Sequence, residues 1–266
     1  MTYCVGMCLA EGIVMLADTR TNAGLDNVAT FSKMHVFEAP GERVIALMTA
    51  GNLAITQAVV SLLSQGVTNK ETGETQTLWD MNSVFDTARL IGHALRQVYD
   101  EDADALEKRG VSFDAGFIVA GQLHGRRMRM FQVYSAGNFI ESSKDTPFLQ
   151  IGEHKYGKPI LDRVCLYDTP LNEAASLALI SMDSTLRSNL SVGLPLDLVV
   201  FGRDKLRVEV NQRIGADDPY FRMISERWSG ALRSAYRALP PPPWMNGQHE
   251  SPPPRVEKRT RSKKAT

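Results

Sequence analysis

The chain has 266 residues, 43% hydrophobic and 23% charged, with 30 Lys/Arg balancing 30 Asp/Glu. That composition is ordinary for a globular protein with one large or two small domains, and no run approaches the roughly 18–20 apolar residues of a membrane span. The charge is uneven: from Pro240 onward six Lys/Arg face two Asp/Glu, leaving 24 basic and 28 acidic residues before it, so the body offers no nucleic-acid surface.

The first residues lack the basic and apolar regions of a secretory signal. The three cysteines, Cys4, Cys8 and Cys165, have no metal-ligand spacing. Free thiols and a cytoplasmic location are therefore expected. Residues 2–9 and 12–18 are rich in Val, Met, Ile, Leu and Tyr around Glu11-Gly12, which predicts a hairpin beginning at the second residue. Chain ends fray unless something ties them down, so a strand there draws attention to the terminus. Residues 19–32 are polar and read as a loop. KMHVFE (33–38) and RVIALMTAG (43–51) follow as strands, and a helix runs from Leu53 to Gly66.

Met81, Val84, Phe85, Ala88, Ile91, Leu95 and Val98 recur at helical steps and predict a helix over 81–98. Residues 113–121, 126–134 and 137–141 read as a strand meander. Helices are expected over 154–162, 171–187 and 219–237, with a last hairpin from 194–202 and 205–210. From Pro240 the Pro-rich, basic sequence has almost nothing to bury and reads as a disordered tail, 240–266, after a domain spanning 1–239. Strands grouped in hairpins and separated by grouped helices imply antiparallel sheets with segregated helix layers, not a doubly wound parallel sheet.

Two apparent motifs carry nothing. GEHKYGKP (152–159) fits G-x-x-x-x-G-K, but Pro159 stands where a phosphate loop needs Ser or Thr. The five histidines are scattered without metal-ligand spacing, so no catalytic metal is expected. Cys4 and Cys8 read as small buried hydrophobes.

Thr2 is the sharper candidate. Aminopeptidase removal of Met1 before a small residue would leave Thr2 with a free α-amine beside its own hydroxyl. An α-amine titrates near 7.7–8, so one residue would supply both nucleophile and base. Asp18 ends the second strand, Lys33 opens the third, and Gly51 lies at a strand-to-helix junction. Each has a bland role: turn cap, solvated strand-edge lysine, turn glycine. Together they suit a charge relay, with the ammonium keeping the amine neutral, the carboxylate compensating the ammonium, and the Gly51 N–H facing an oxyanion. The antiparallel hairpin brings residues 2 and 18 together.

These stretches (MTYCVG, LADTRTNAGLDNVATFSKMHVFE and MTAGNLA, with IGEHKYGKPILDR and SMDSTLRSNLSVGLPLDLVVF further on) resemble the Anbu family. Anbu proteins are bacterial relatives of the proteasome β-subunit and HslV, within the N-terminal nucleophile hydrolases. The likeness spans about residues 1–210. It implies an α+β fold, a four-layer αββα sandwich of two antiparallel sheets. It also implies a threonine peptidase or amide hydrolase with Thr2 as nucleophile, Asp18 and Lys33 as catalytic partners and Gly51 in the oxyanion hole. Arg20 matches the arginine of the family's D-x-R motif, and Asn22 falls where the proteasome contacts the substrate backbone. No cofactor is implied. The implied partners are a peptide or protein substrate and further copies of the chain, as a homo-oligomeric ring or open spiral. Whether an ATPase unfoldase feeds it is open.

Two positions depart from the proteasome pattern. Gly152-Glu153-His154 stands in place of a G-S-G turn, and Ser188-Asn189-Leu190-Ser191 in place of D-x-x-S-G, with Ser188 where aspartate would be and Ser191 as the matching serine. Glu153 either supplies negative charge near the amine or caps the following helix. Two rival functions remain: a non-peptide amidase or transpeptidase with the same nucleophile, and a self-assembling scaffold subunit without turnover.

Overall fold

The computed structural model describes residues 1–22, 28–68 and 72–245, with only the backbone of Asn22. In chain order these residues form β1 (Tyr3–Cys8), β2 (Gly12–Asp18), β3 (Arg20–Asn22), β4 (Val28–Thr30), β5 (Met34–Ala39), β6 (Arg43–Gly51), α1 (Leu53–Gln65), β7 (Val67–Thr68) and β8 (Thr75–Gln76). Then come α2 (Val84–Glu107), β9 (Ala115–Leu123), β10 (Arg129–Val133), β11 (Phe139–Glu141), β12 (Phe148–Gly152), α3 (Lys158–Val164), α4 (Leu171–Ser188), β13 (Leu196–Gly202), β14 (Val210–Ile214) and α5 (Pro219–Arg237). The chain divides into two units, Met1–Glu226 and Arg227–Thr266. All strands and α1–α4 lie in the first. The second begins inside α5 and, among the described residues, also holds a 3-10 turn at Pro243–Met245. The tail expected from Pro240 lies outside the described residues beyond Met245.

Two five-stranded sheets, ordered β12-β1-β2-β13-β14 and β11-β10-β9-β6-β5, are antiparallel throughout. Their facing sides bury one cluster that includes Cys4, Ile13 and Met15 from the first sheet and Met48, Ile118 and Met130 from the second. The outer face of the second sheet packs under α1 and α2 through Leu47, Phe117, Ile91 and Leu95. The outer face of the first packs under α3 and α4 through Val5, Leu16, Leu161, Ala178 and Met182. This is the four-layer αββα sandwich. A strand covered on both faces needs no polar alternation, which explains the continuous apolar run of β2, buried at all seven positions. Each fully buried large aliphatic side chain contributes about 1.5–3 kcal/mol.

Several boundaries differ from the expectation for local physical reasons. α2 extends to Glu107: Ser83 caps it by accepting from Asp86 N–H, and its C-terminal YDEDADALE is mostly solvent-exposed, so the apolar period fades while the helix continues. α3 starts at Lys158, not 154, because Gly157 is its N-cap and residues before it form a turn. Glu153 therefore does not cap this helix. The loop expected over 19–32 contains a short ribbon, β3 with β4. The last strand is Val210–Ile214 and not 205–210: Asp204 and Leu206 adopt left-handed conformations, at φ 62° and 48°, which keep the chain in a turn and delay the pairing with β13.

Candidate active site

Thr2 stands at the head of β1, a strand paired on both sides. Its carbonyl accepts from Glu153 N–H at 2.7 Å, and the next residue, Tyr3, donates its N–H to Asp18 Oδ1 at 3.1 Å. These bonds remove the fraying expected of a terminus. The approach to β12 is tight. Gly152 has φ +80°, and a Cβ there would lie 1.9 Å from the Thr2 carbonyl oxygen, so only glycine admits this pairing. Thr2 is 6% exposed, and among the described residues its hydroxyl makes no hydrogen bond.

Asp18 is fully buried at the end of β2, and among the described residues its carboxylate accepts from three donors. Oδ1 receives Lys33 Nζ at 2.7 Å and Tyr3 N–H; Oδ2 receives Gly193 N–H at 3.2 Å. Burial pushes the Asp18 carboxyl above its ordinary range, while the Lys33 ammonium and the two backbone N–H groups pull it back. Lys33 is 4% exposed, so the expected bland role of a solvated lysine does not apply. Its second bond, 2.7 Å to the Arg20 carbonyl, holds it against β3. Desolvating two charges is costly unless their remaining valences are met; main-chain N–H groups of Tyr3 and Gly193 serve the carboxylate and the Arg20 carbonyl takes a second ammonium N–H. Arg20 in turn donates from its guanidinium to Leu190 C=O at 2.9 Å, bracing the segment that leads to Gly193.

Gly51 ends β6, with φ +104°. A Cβ at this position would meet Asp114 C=O at 2.3 Å. Asn52 N–H donates to that same carbonyl, so in the antiparallel ladder with β9 the bonded positions are 52 and 50, and the Gly51 N–H points the other way. On that side β5 has already begun at Met34, with Lys33 C=O taken by Thr49 N–H. Among the described residues nothing accepts from Gly51. The N–H faces a cleft of about 570 Å³ that Thr2, Thr21, Phe31, Lys33, Thr49 and Gly51 help to line. A second cleft, also about 570 Å³, touches Thr2 and Gly51 from the other side and is lined further by Gln132, Gln150, Glu153 and His154.

The structure thus brings Thr2, Asp18, Lys33, Gly51 and Arg20 to one place. Glu153 is there as well, with Oε2 buried and lacking a hydrogen bond; its ionic neighbour is Lys155 at 3.6 Å. Ser188 is exposed at the end of α4 and Ser191 N–H is bound to Asn189 Oδ1, and among the described residues neither bonds to Thr2. The Asn22 side chain lies outside the described residues; its neighbour Thr21 lines the cleft. Tyr3, Thr21, Gln150 and Gly193 were not singled out by the sequence reading, because Tyr3, Gln150 and Gly193 act through the main chain or a buried network and none of the four is a nucleophile, base or charged group at neutral pH. Among the described residues no group of three or more His, Cys, Asp or Glu is placed to hold a metal, and no helix is long and apolar enough to cross a membrane. Burial raises all three thiols, Cys165 to about 11, which leaves little thiolate near neutral pH.

Tyr3 anchors the strand beneath Thr2. Its hydroxyl bonds to Ser181 Oγ and accepts from Gln150 Nε2, each at 2.5 Å. Burial pushes its pKa from 10.0 to about 12. The folded value lies above the unfolded one, so the neutral phenol's contribution is complete below pH 10 and is lost as pH rises towards 12, amounting to about 2–3 kcal/mol. Urea midpoints between pH 9 and 12 should fall more steeply for the wild type than for Tyr3→Phe; parallel curves would contradict this assignment.

The chain is similar to several solved structures that bear the name Anbu. Anbu (ancestral beta-subunit) from Yersinia bercovieri is 46% identical, over 90% of this chain and 98% of that one, with a TM-score of 0.82. Anbu from Hyphomicrobium sp. strain MC1 is 51% identical over 90% and 98%, with a TM-score of 0.79. The Anbu complex from Pseudomonas aeruginosa, described as a helical assembly, is 45% identical over 91% and 99%, with a TM-score of 0.84. No protein-family model and no curated protein matches the chain.

Proposed function

The chain belongs to the Anbu family of ancestral proteasome-type β-subunits, and we propose from this that it is an N-terminal threonine hydrolase acting on peptide bonds. The observation that carries the proposal is the buried contact of 2.7 Å between Lys33 Nζ and Asp18 Oδ1, behind a cleft that Lys33 lines together with Thr2 and Gly51, whose N–H has no acceptor among the described residues. With Met1 attached, the Thr2 nitrogen is an amide and cannot act as a base. Hydrolysis of the Met1–Thr2 bond frees the amine.

Thr2 Oγ then attacks the substrate carbonyl and passes its proton to the α-amine. The tetrahedral oxyanion accepts from the Gly51 N–H. The ammonium protonates the departing amine, leaving an ester on Oγ. Water, deprotonated by the same amine, cleaves that ester. Lys33 holds positive charge beside the nucleophile and favours the neutral amine, and Asp18 holds Lys33. The test is mass analysis of the N-terminus followed by reaction with a peptide epoxyketone. A processed protein that gives no adduct at Thr2 would sink the reading.

We further infer that the protein works as a homo-oligomer, by analogy with the helical assembly of the Pseudomonas aeruginosa complex. Sedimentation of the full chain should show species well above its 29.4 kDa mass; a monomer at micromolar concentration is the contrary result.

A further inference from the structure

β12 stands at one edge of the first sheet, and among the described residues only β1 pairs with it. The register shows which of its main-chain groups that pairing uses. Cys8 N–H donates to Pro147 C=O, and Glu153 N–H to Thr2 C=O. In an antiparallel ladder the bonded positions alternate, so 147, 149, 151 and 153 face β1. The N–H and C=O groups of Phe148 and Gln150, and the N–H of Gly152, face the opposite way. Among the described residues none of these groups has a hydrogen-bond partner, while Gly152 C=O accepts from His154 N–H at 2.9 Å. Two clefts adjoin along this edge. One is the second Thr2 cleft; the other, about 470 Å³, is lined by Thr146, Phe148, Lys158 and Cys165, and both include Gln132, Gln150 and His154.

Building on the hydrolytic reading of Thr2, we propose that the open edge of β12 is the leaving-group subsite. The polypeptide on the C-terminal side of the scissile bond adds to the sheet as an extended strand beside Phe148–Gly152. The occupant follows from what the edge presents: alternating main-chain donors and acceptors, which another main chain complements and which select no particular side chain. An added strand lies about 10 Å from β1, two strand spacings away. About three extended residues, at about 3.3 Å each, cover that distance from the Thr2 hydroxyl to the edge. The cleft on the other side, into which the Gly51 N–H points, holds the acyl half. Polypeptides long enough to reach β12 gain from the edge, and short amides do not.

Gln150→Pro tests this. Proline is tolerated at an edge position whose N–H faces outward, and the ladder to β1 does not use this group. Gln150→Ala is the control, since it also loses the bond to Tyr3 but keeps the N–H. Relative to Gln150→Ala, the proline variant should lose about tenfold in kcat/KM on a reduced and alkylated unfolded protein. It should be unchanged on a peptide whose leaving group is a dye amine. Equal rates on the unfolded protein would overturn the subsite.

A second measurement is independent of turnover. In the Thr2→Ala protein, deuterium exchange at Phe148, Gln150 and Gly152 should slow at least tenfold when the reduced and alkylated protein is added. No slowing overturns the inference even if dye amides are cleaved. Protection before any polypeptide is added means that a second copy covers the edge, and also overturns it. Protection on addition without hydrolysis by the wild type supports the docking edge and sinks the hydrolytic role of Thr2.

Discussion

Thr2→Ala is expected to abolish turnover and covalent labelling while leaving the fold nearly intact. The contacts that hold residue 2 are main-chain bonds, Glu153 N–H to Thr2 C=O and Tyr3 N–H to Asp18 Oδ1, and alanine keeps both. The hydroxyl bonds to no other described residue, so removing it orphans no buried donor. Stability should change by no more than about 1 kcal/mol. The rate should fall on the order of a millionfold, as when a nucleophile acting as one unit with its base is deleted. Thr2→Ser retains the hydroxyl and the adjacent amine, so it should still form the adduct. Purified, processed Thr2→Ala with more than a hundredth of the wild-type kcat would show that another group performs the attack.

Lys33→Ala should reduce both stability and rate, for separable reasons. It leaves Asp18 buried with two N–H donors and no cation. Breaking one side of such a pair costs about 3–5 kcal/mol, and the orphaned carboxyl, already pushed up by burial, moves further towards the protonated form. The added loss is therefore greatest at neutral pH and shrinks as acid neutralises Asp18. Adding Asp18→Asn to Lys33→Ala removes the stranded charge and should restore part of the stability. It should not restore the rate, which falls about 10²–10⁴-fold with loss of the group that sets the protonation of the amine. Lys33→Arg is no safe substitute, because a planar guanidinium does not replace a compact ammonium bonded to both Asp18 and Arg20 C=O. Urea midpoints and labelling rates for the three variants decide this. Recovery of both quantities in the double variant would mean that Lys33 serves the fold alone.

Much of the layer architecture was legible because it depends on short-range pattern. The β1–β2 hairpin, the α1 boundaries and the long apolar face of α2 follow from residue type and period. The misses were places where tertiary contacts outweigh local preference. β3 and β4 are three residues each and too short to alternate, and β14 begins late because a left-handed turn at Asp204 and Leu206 follows β13. In the site, Thr2, Asp18 and Lys33 could be singled out as unusual, whereas Gly193 N–H, the Arg20 carbonyl and the Tyr3–Gln150–Ser181 network could not. Those groups come from segments up to 178 residues apart, and most act through a main chain that every residue type shares.

By itself, then, the sequence determined the type and order of most elements, the family and the residues with reactive chemistry, since each depends on neighbours along the chain. Only the tertiary structure decided that Asp18 and Lys33 meet at 2.7 Å in a buried setting, that the Gly51 N–H faces the Thr2 cleft, and that among the described residues nothing but β1 pairs with β12 beside it. The reason is physical: pairing of distant strands sets which backbone groups are satisfied and which charges lose their water, and neither depends on local sequence alone.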